Sequence, residues 1–246
     1  MDSVNEKMFE NRSICLLADN GSLRPDAVLA LRRVAEKLAE RTGMATEAVG
    51  LLHSDKVGAV DLDGVPGETV ETCLRRRLAE GDGDFLILPF FLGPSLGVAE
   101  WLPKRLGEFQ NEFSDLRVKL ASCLAIDREG EEILSGVVCD RVHELSLKEG
   151  LNRPFVAFVD HGTPVSEVNQ VRERVGERVR ELLGEEVAGL HTCSMERRPG
   201  PEYAFNEPLL KTMLRDETVV APRSVVVAQF FLSPGMHAGE GGDVAE

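Results

Sequence analysis

Three residues that could do chemistry stand just beyond apolar runs. His161 follows Phe155–Val159, Glu196 follows Val187–Cys193, and His237 follows Ser224–Ala228 after a short Phe230–Gly235 stretch. Imidazole and carboxylate groups ligate divalent first-row metal ions, and neutral imidazole accepts a proton near pH 7. Gathered at one edge of a sheet, the three could hold an ion, take up protons, or both. A glycine lies near each histidine, Gly162 and Gly235, and leaves room for a bulky ligand to approach the backbone. A loop histidine that is simply a hydrogen-bonded surface group is the plainer reading, and it stays open here.

An internal comparison bears on the choice. Ile14–Ser22 (ICLLADNGS) matches Phe155–Thr163 (FVAFVDHGT) 141 positions later, and Gly43 matches Gly184 at the same offset. Phe85–Glu100 matches Val225–Glu240 at 140. Two long matches at nearly one offset predict two homologous halves. Asn20 stands at the place of His161, and Gly97 at that of His237. Groups needed only for folding would be wanted in both halves, so the difference favours a site in the second half alone.

The elements that must position these residues are legible as alternating runs. Ile14–Ala18, Ala48–Leu52 and Phe85–Leu88 predict buried strands in the first half, as do Phe155–Val159, Val187–Cys193 and Ser224–Ala228 in the second. Ala27, Leu31, Val34, Ala35 and Leu38 fall at helical spacing. So do Val168, Val171, Val175, Val179 and Leu182. Gly43 and Gly184 are expected to cap these helices. Second helices are expected over Thr69–Ala79 and Glu207–Leu214. The first half adds a helix (Trp101–Phe113), a fourth strand (Arg117–Ala121) and a connector helix (Glu129–Lys148). Strands alternating with helices predict an α/β fold of two parallel-sheet βαβ lobes. The expected layout is an N-terminal tail over 1–13, one lobe with its connector over 14–150, and a second over 151–246 that lacks a last helix and strand.

Composition narrows the function. The net charge of −14 disfavours nucleic acid and anionic membrane surfaces, both of which need positive potential. Five scattered cysteines without CxxC spacing fit reduced thiols in the cytoplasm. The polar start shows no secretory h-region. Pro89, Gly93, Pro94, Gly97 and Glu100 break the apolar stretch Phe85–Leu102, so it reads as strand and loop, not as a membrane span. No GxGxxG or P-loop follows a strand, so no nucleotide site is expected. His191 is expected in the core and His143 in solvent, while His53, which follows the second strand of the first half, is a weaker candidate for the cleft. Asp19 and Asp160, matched between halves, are expected to brace their turns. The run Arg172–Arg180 reads as a solvated helix face.

Asp160-His161-Gly162-Thr163, together with Phe230-Phe231-Leu232-Ser233-Pro234-Gly235-Met236-His237, resembles the class II tetrapyrrole chelatases. The pair is most similar to the CbiX-type sirohydrochlorin chelatases, which insert cobalt or iron into a modified tetrapyrrole. The resemblance covers both halves from Ile14 on. It implies flavodoxin-like, doubly wound lobes facing across a cleft, with a degenerate first lobe. It further implies that His161 and His237 hold the incoming metal and accept pyrrole protons, helped by Glu196. Arg197, Arg198 and Arg223, with Gly235, are the candidates for contacting a carboxylate-rich macrocycle. The metal, Co2+, Fe2+ or Ni2+, would be a substrate, and no nucleotide would be needed. Oligomeric state stays open. The alternative is a non-catalytic carrier of metal or tetrapyrrole on the same fold.

Overall fold

The computed structural model describes residues 13–216, 218 and 223–233. Two compact units divide at Cys123 and Leu124.

In the first unit, β1 (Ile14–Asp19) is followed by α1 (Pro25–Thr42), β2 (Thr46–Gly50), α2 (Val70–Glu80), β3 (Asp84–Pro89), α3 (Leu102–Glu112) and β4 (Arg117–Leu120). The strands are parallel in the order β2-β1-β3-β4. Strand β1 is apolar and buried over Ile14–Ala18 because it has a strand on each side and a layer on each face. Ile14, Leu16 and Ala18 share a core with Val70 and Leu74 of α2 and Leu102, Leu106 and Phe109 of α3. Leu17 packs on the other face with Leu31 and Ala35 of α1. Helices thus cover both faces. Edge strand β4 is mostly exposed, in keeping with its charged residues Arg117 and Lys119.

The second unit begins with α4 (Arg128–Glu149), the helix expected from its position as a connector. It continues with β5 (Phe155–Asp160), α5 (Ser166–Leu183), β6 (Gly189–Ser194), the short α6 (Leu210–Met213) and β7 (Val225–Gln229). Its parallel order is β6-β5-β7. That is the order of β2-β1-β3, so β1 and β5 occupy equivalent middle positions. Helix α4 packs on α5: Ser135 is fully buried and its hydroxyl lies 3.5 Å from the Val175 carbonyl. An Arg174–Glu131 ion pair of 2.5 Å joins the two helices at the surface.

Several expectations are corrected by packing. Val34 and Leu182 are exposed, while Leu183 is buried. Helix α6 is one turn long, and Pro201–Asn206 ahead of it is 3-10 helix. Gly43 caps α1 in the left-handed region, at φ 73° and ψ 4°. Gly184 follows α5 with φ 48° and ψ −123°, outside that cap geometry. His191 is exposed, because β6 is a sheet edge, and its ring tilts against Phe155 with centroids 5.6 Å apart. Arg172, within the run expected to be solvated, has only 1% of its side chain exposed.

Candidate functional site

In a parallel sheet whose order reverses beside its first strand, loops part at the carboxyl edge and leave a crevice there. That reversal falls between β5 and β7 in the second unit. His161 is the first residue after β5. Phe230–Ser233 leaves β7 at the same edge. His237 and Gly235, both expected site residues, lie outside the described residues.

The turn at His161 is built by its neighbours. The Asp160 carboxylate accepts the Gly162 N–H at 3.1 Å, as Asp19 accepts that of Gly21 at 2.8 Å. The paired aspartates therefore brace their turns as expected. Gly162 has φ 93°, and a Cβ there would collide with the Glu196 carbonyl oxygen. Only glycine lets the β5 and β6 loops approach so closely. Two backbone bonds then join the loops: Met195 N–H to Asp160 O at 2.8 Å, and Glu196 N–H to His161 O at 3.2 Å.

This brings His161 and Glu196 together. Imidazole Nε2 lies 3.4 Å from a Glu196 carboxylate oxygen, with the side chains 51% and 64% exposed. A nitrogen and an oxygen at this separation, open to solvent, can share one cation or pass a proton between them. Met195, just before Glu196, and Phe231, just after β7, pack on a core that includes Val159, Cys193 and Met213. Thr163, next in the turn, is held by the buried Asn206. That amide accepts the Thr163 N–H and donates to the Thr163 carbonyl, each at 2.9 Å. Nothing in the local sequence of Asn206 signals this role.

The first unit builds the same turn with other side chains. Leu51 N–H donates to Asp19 O at 2.8 Å and Leu52 N–H to Asn20 O at 3.2 Å. Asn20 and Leu52 thus occupy the places of His161 and Glu196. His53, next along, is exposed.

Arg197 does not stand open. It pairs with Glu207 at 2.7 Å and donates to the carbonyls of Arg198 and Gly200, which shapes the β6 loop. Arg198 and Arg223 are exposed.

Among the described residues, Glu47, Glu68 and Cys73 are also close enough to surround an ion. Arg76 is already there, 2.6 Å from Glu47 and 2.7 Å from Glu68. Burial, then the nearby Glu68 charge, pushes the Cys73 thiol up to about 12. A guanidinium between the carboxylates and a thiol that keeps its proton make this an ion-pair cluster on the wall of a groove of about 480 Å3. All five cysteines are free and buried, and desolvation raises each thiol's pKa.

No family model and no curated protein matches the sequence. Solved structures do. SirB from Bacillus subtilis with Fe3+ aligns with a TM-score of 0.69 at 14% identity, over 92% of this chain and 79% of that one. The sirohydrochlorin chelatase SirB from Bacillus subtilis subspecies spizizenii, in complex with cobalt, aligns with a TM-score of 0.58 at 13% identity. That match covers 89% of this chain and 87% of the other. The chain has the SirB fold. The likeness agrees with the resemblance carried by the two histidine motifs, and it accounts for two α/β regions with sheets of four and three parallel strands among the described residues. No described helix is long and apolar enough to cross a membrane.

Proposed function

We propose that the protein inserts a divalent metal ion, cobalt or iron, into a sirohydrochlorin-type tetrapyrrole without a nucleotide. The observation that carries this reading is the His161–Glu196 pair at the carboxyl edge of β5 and β6, in a fold shared with structures described as SirB with Fe3+ and SirB with cobalt. The incoming ion is a substrate. His161 would hold it, with His237 as the second imidazole ligand. As the metal enters, the macrocycle must lose two N–H protons, and Glu196 or a released imidazole would accept them. Arg198 and Arg223, with Gly235, are assigned to the carboxylated rim of the macrocycle. Arg197 contributes there through the loop that it holds. A cytoplasmic site of action agrees with the five unpaired thiols.

Turnover of sirohydrochlorin with Co2+ or Fe2+, followed by the visible absorption of the macrocycle, tests the proposal. Metalation that depends on His161 supports it. Metal binding with no metalation above the uncatalysed rate would leave a carrier and remove the enzyme.

A further inference from the structure

Arg172 is the largest of the fully buried side chains among the described residues. It sits on α5, yet it reaches the ends of both strands that carry the candidate pair. Nη1 lies 3.2 Å from the Asp160 carboxylate and also donates to the Ser194 hydroxyl. That hydroxyl donates to the same Asp160 oxygen at 2.6 Å. Nη2 approaches the Phe205 carbonyl at 3.4 Å, beside the Asn206 that pins Thr163. Glu173 takes the remaining face, at 2.9 Å from Nε and 2.5 Å from Nη2. One guanidinium therefore ties together the residue before His161, the last residue of β6, and the loop behind Thr163.

The first unit shows that the turn does not need this clamp in order to form. Leu31 stands 141 positions before Arg172 and is buried at that place on α1. Gly50 faces Asp19 in the register where Ser194 faces Asp160. Even so, Asn20 and Leu52 make the same backbone bond as His161 and Glu196, at the same 3.2 Å. Clamp and candidate ligands are present together in one unit and missing together in the other. Burying a guanidinium and a carboxylate is costly unless geometry repays it, so a clamp that backbone folding does not require points to a task beyond folding.

We propose that Arg172 is a positioning residue for the metal site. It fixes the β5 and β6 loops against each other so that His161 and Glu196 present their ligand atoms to one ion. This rests on the reading of that pair as metal-binding.

The test is a Co2+ titration of the full chain, followed by the visible d–d absorption, with Arg172→Leu copying the first unit. Folding is checked in parallel by circular dichroism. Folded Arg172→Leu is expected to bind Co2+ at least tenfold more weakly, with a changed band shape. Arg172→Lys, which restores one charged donor, should recover part of both. A merely structural role would lower thermal stability and leave band and affinity alone. Should Arg172→Leu not fold, Ser194→Gly and Arg172→Lys carry the comparison, and parental affinity and spectrum in both would overturn the proposal. His161→Ala separates the two levels. If it leaves Co2+ binding unchanged, the metal reading itself falls. If it abolishes binding while folded Arg172→Leu binds like the parent, only the role of Arg172 is lost.

Discussion

The Glu196 N–H donates to the His161 carbonyl across 3.2 Å, a bond of main-chain atoms that any pair of side chains would permit. Leu52 and Asn20 show as much in the first unit. Side-chain chemistry at the two positions can therefore change without rebuilding the turn.

A direct exchange tests this. His161→Asn and Glu196→Leu, which install the first-unit residues, should each shift stability by no more than about 0.5 kcal/mol, as substitutions at exposed positions usually do. His161→Asn should abolish metal insertion, since an amide is a weak ligand and cannot take a proton near pH 7. Asn20→Ala should keep most of the activity. Equal losses from Asn20→Ala and His161→Asn would remove the division of labour between the units.

Gly162→Ala should be strongly destabilising. The added methyl group meets the Glu196 carbonyl oxygen, and φ 93° is strained for alanine. A loss of about 1–3 kcal/mol in urea melts is expected, in the range for strained backbone conformations. Gly64→Ala is the control. It shares a positive φ, of 88°, but has no atom near its Cβ position, so the collision separates the two variants.

The two bracing aspartates should respond to neutralisation with opposite signs. Burial raises the Asp19 carboxyl pKa despite the Gly21 hydrogen bond. The native state then holds that proton more tightly than the unfolded chain does. Its contribution is full below about pH 4 and is lost as pH rises through the raised value. Asp19→Asn keeps an acceptor oxygen for Gly21 and should be slightly stabilising at pH 7, with a gain that disappears in acid. Asp160→Asn removes the buried carboxylate that faces the Arg172 guanidinium, leaves the half-exposed Glu173 as its counter-charge, and should cost about 1.5–3 kcal/mol, as lost hydrogen bonds to charged groups do. Thermal melts at pH 4 and pH 7 measure both. A loss in the Asp19 variant at pH 7 would contradict the assignment.

Cys73→Ala should leave Co2+ binding where it was. Arg76 fills the space between Glu47 and Glu68. Competition titration of the variant against the parent checks this. A clear fall in metal stoichiometry would show that the cluster takes up an ion after all.

Much of this architecture could be read from residue order, for a physical reason. Strands β1 and β5 lie in the middle of parallel sheets, so their apolar runs are uninterrupted and their turn glycines stand out. The candidate pair was half legible. His161 follows from its strand and turn, whereas its distance to Glu196 depends on a loop crossing that only the folded chain defines. Arg172 was read in the wrong environment. It sits among Glu173, Arg174 and Glu177, a pattern typical of a wet helix face, and the partners that bury it are 12 and 22 positions away. Val34 and Leu182 failed differently: helical spacing identifies a stripe but not where that stripe meets its edge. The one-turn length of α6 had no local signal.

The buried cysteines have one more implication. Soft transition-metal ions favour thiolate over imidazole, and a surface thiolate would act as a sink that diverts an ion from any nitrogen ligand. Here each thiol is withdrawn from solvent and its ionisation is opposed by burial. An ion reaching the turn at His161 therefore meets no exposed thiol that would compete for it. The same withdrawal should let the protein be handled with free metal in air without cross-linking into disulfide-joined aggregates.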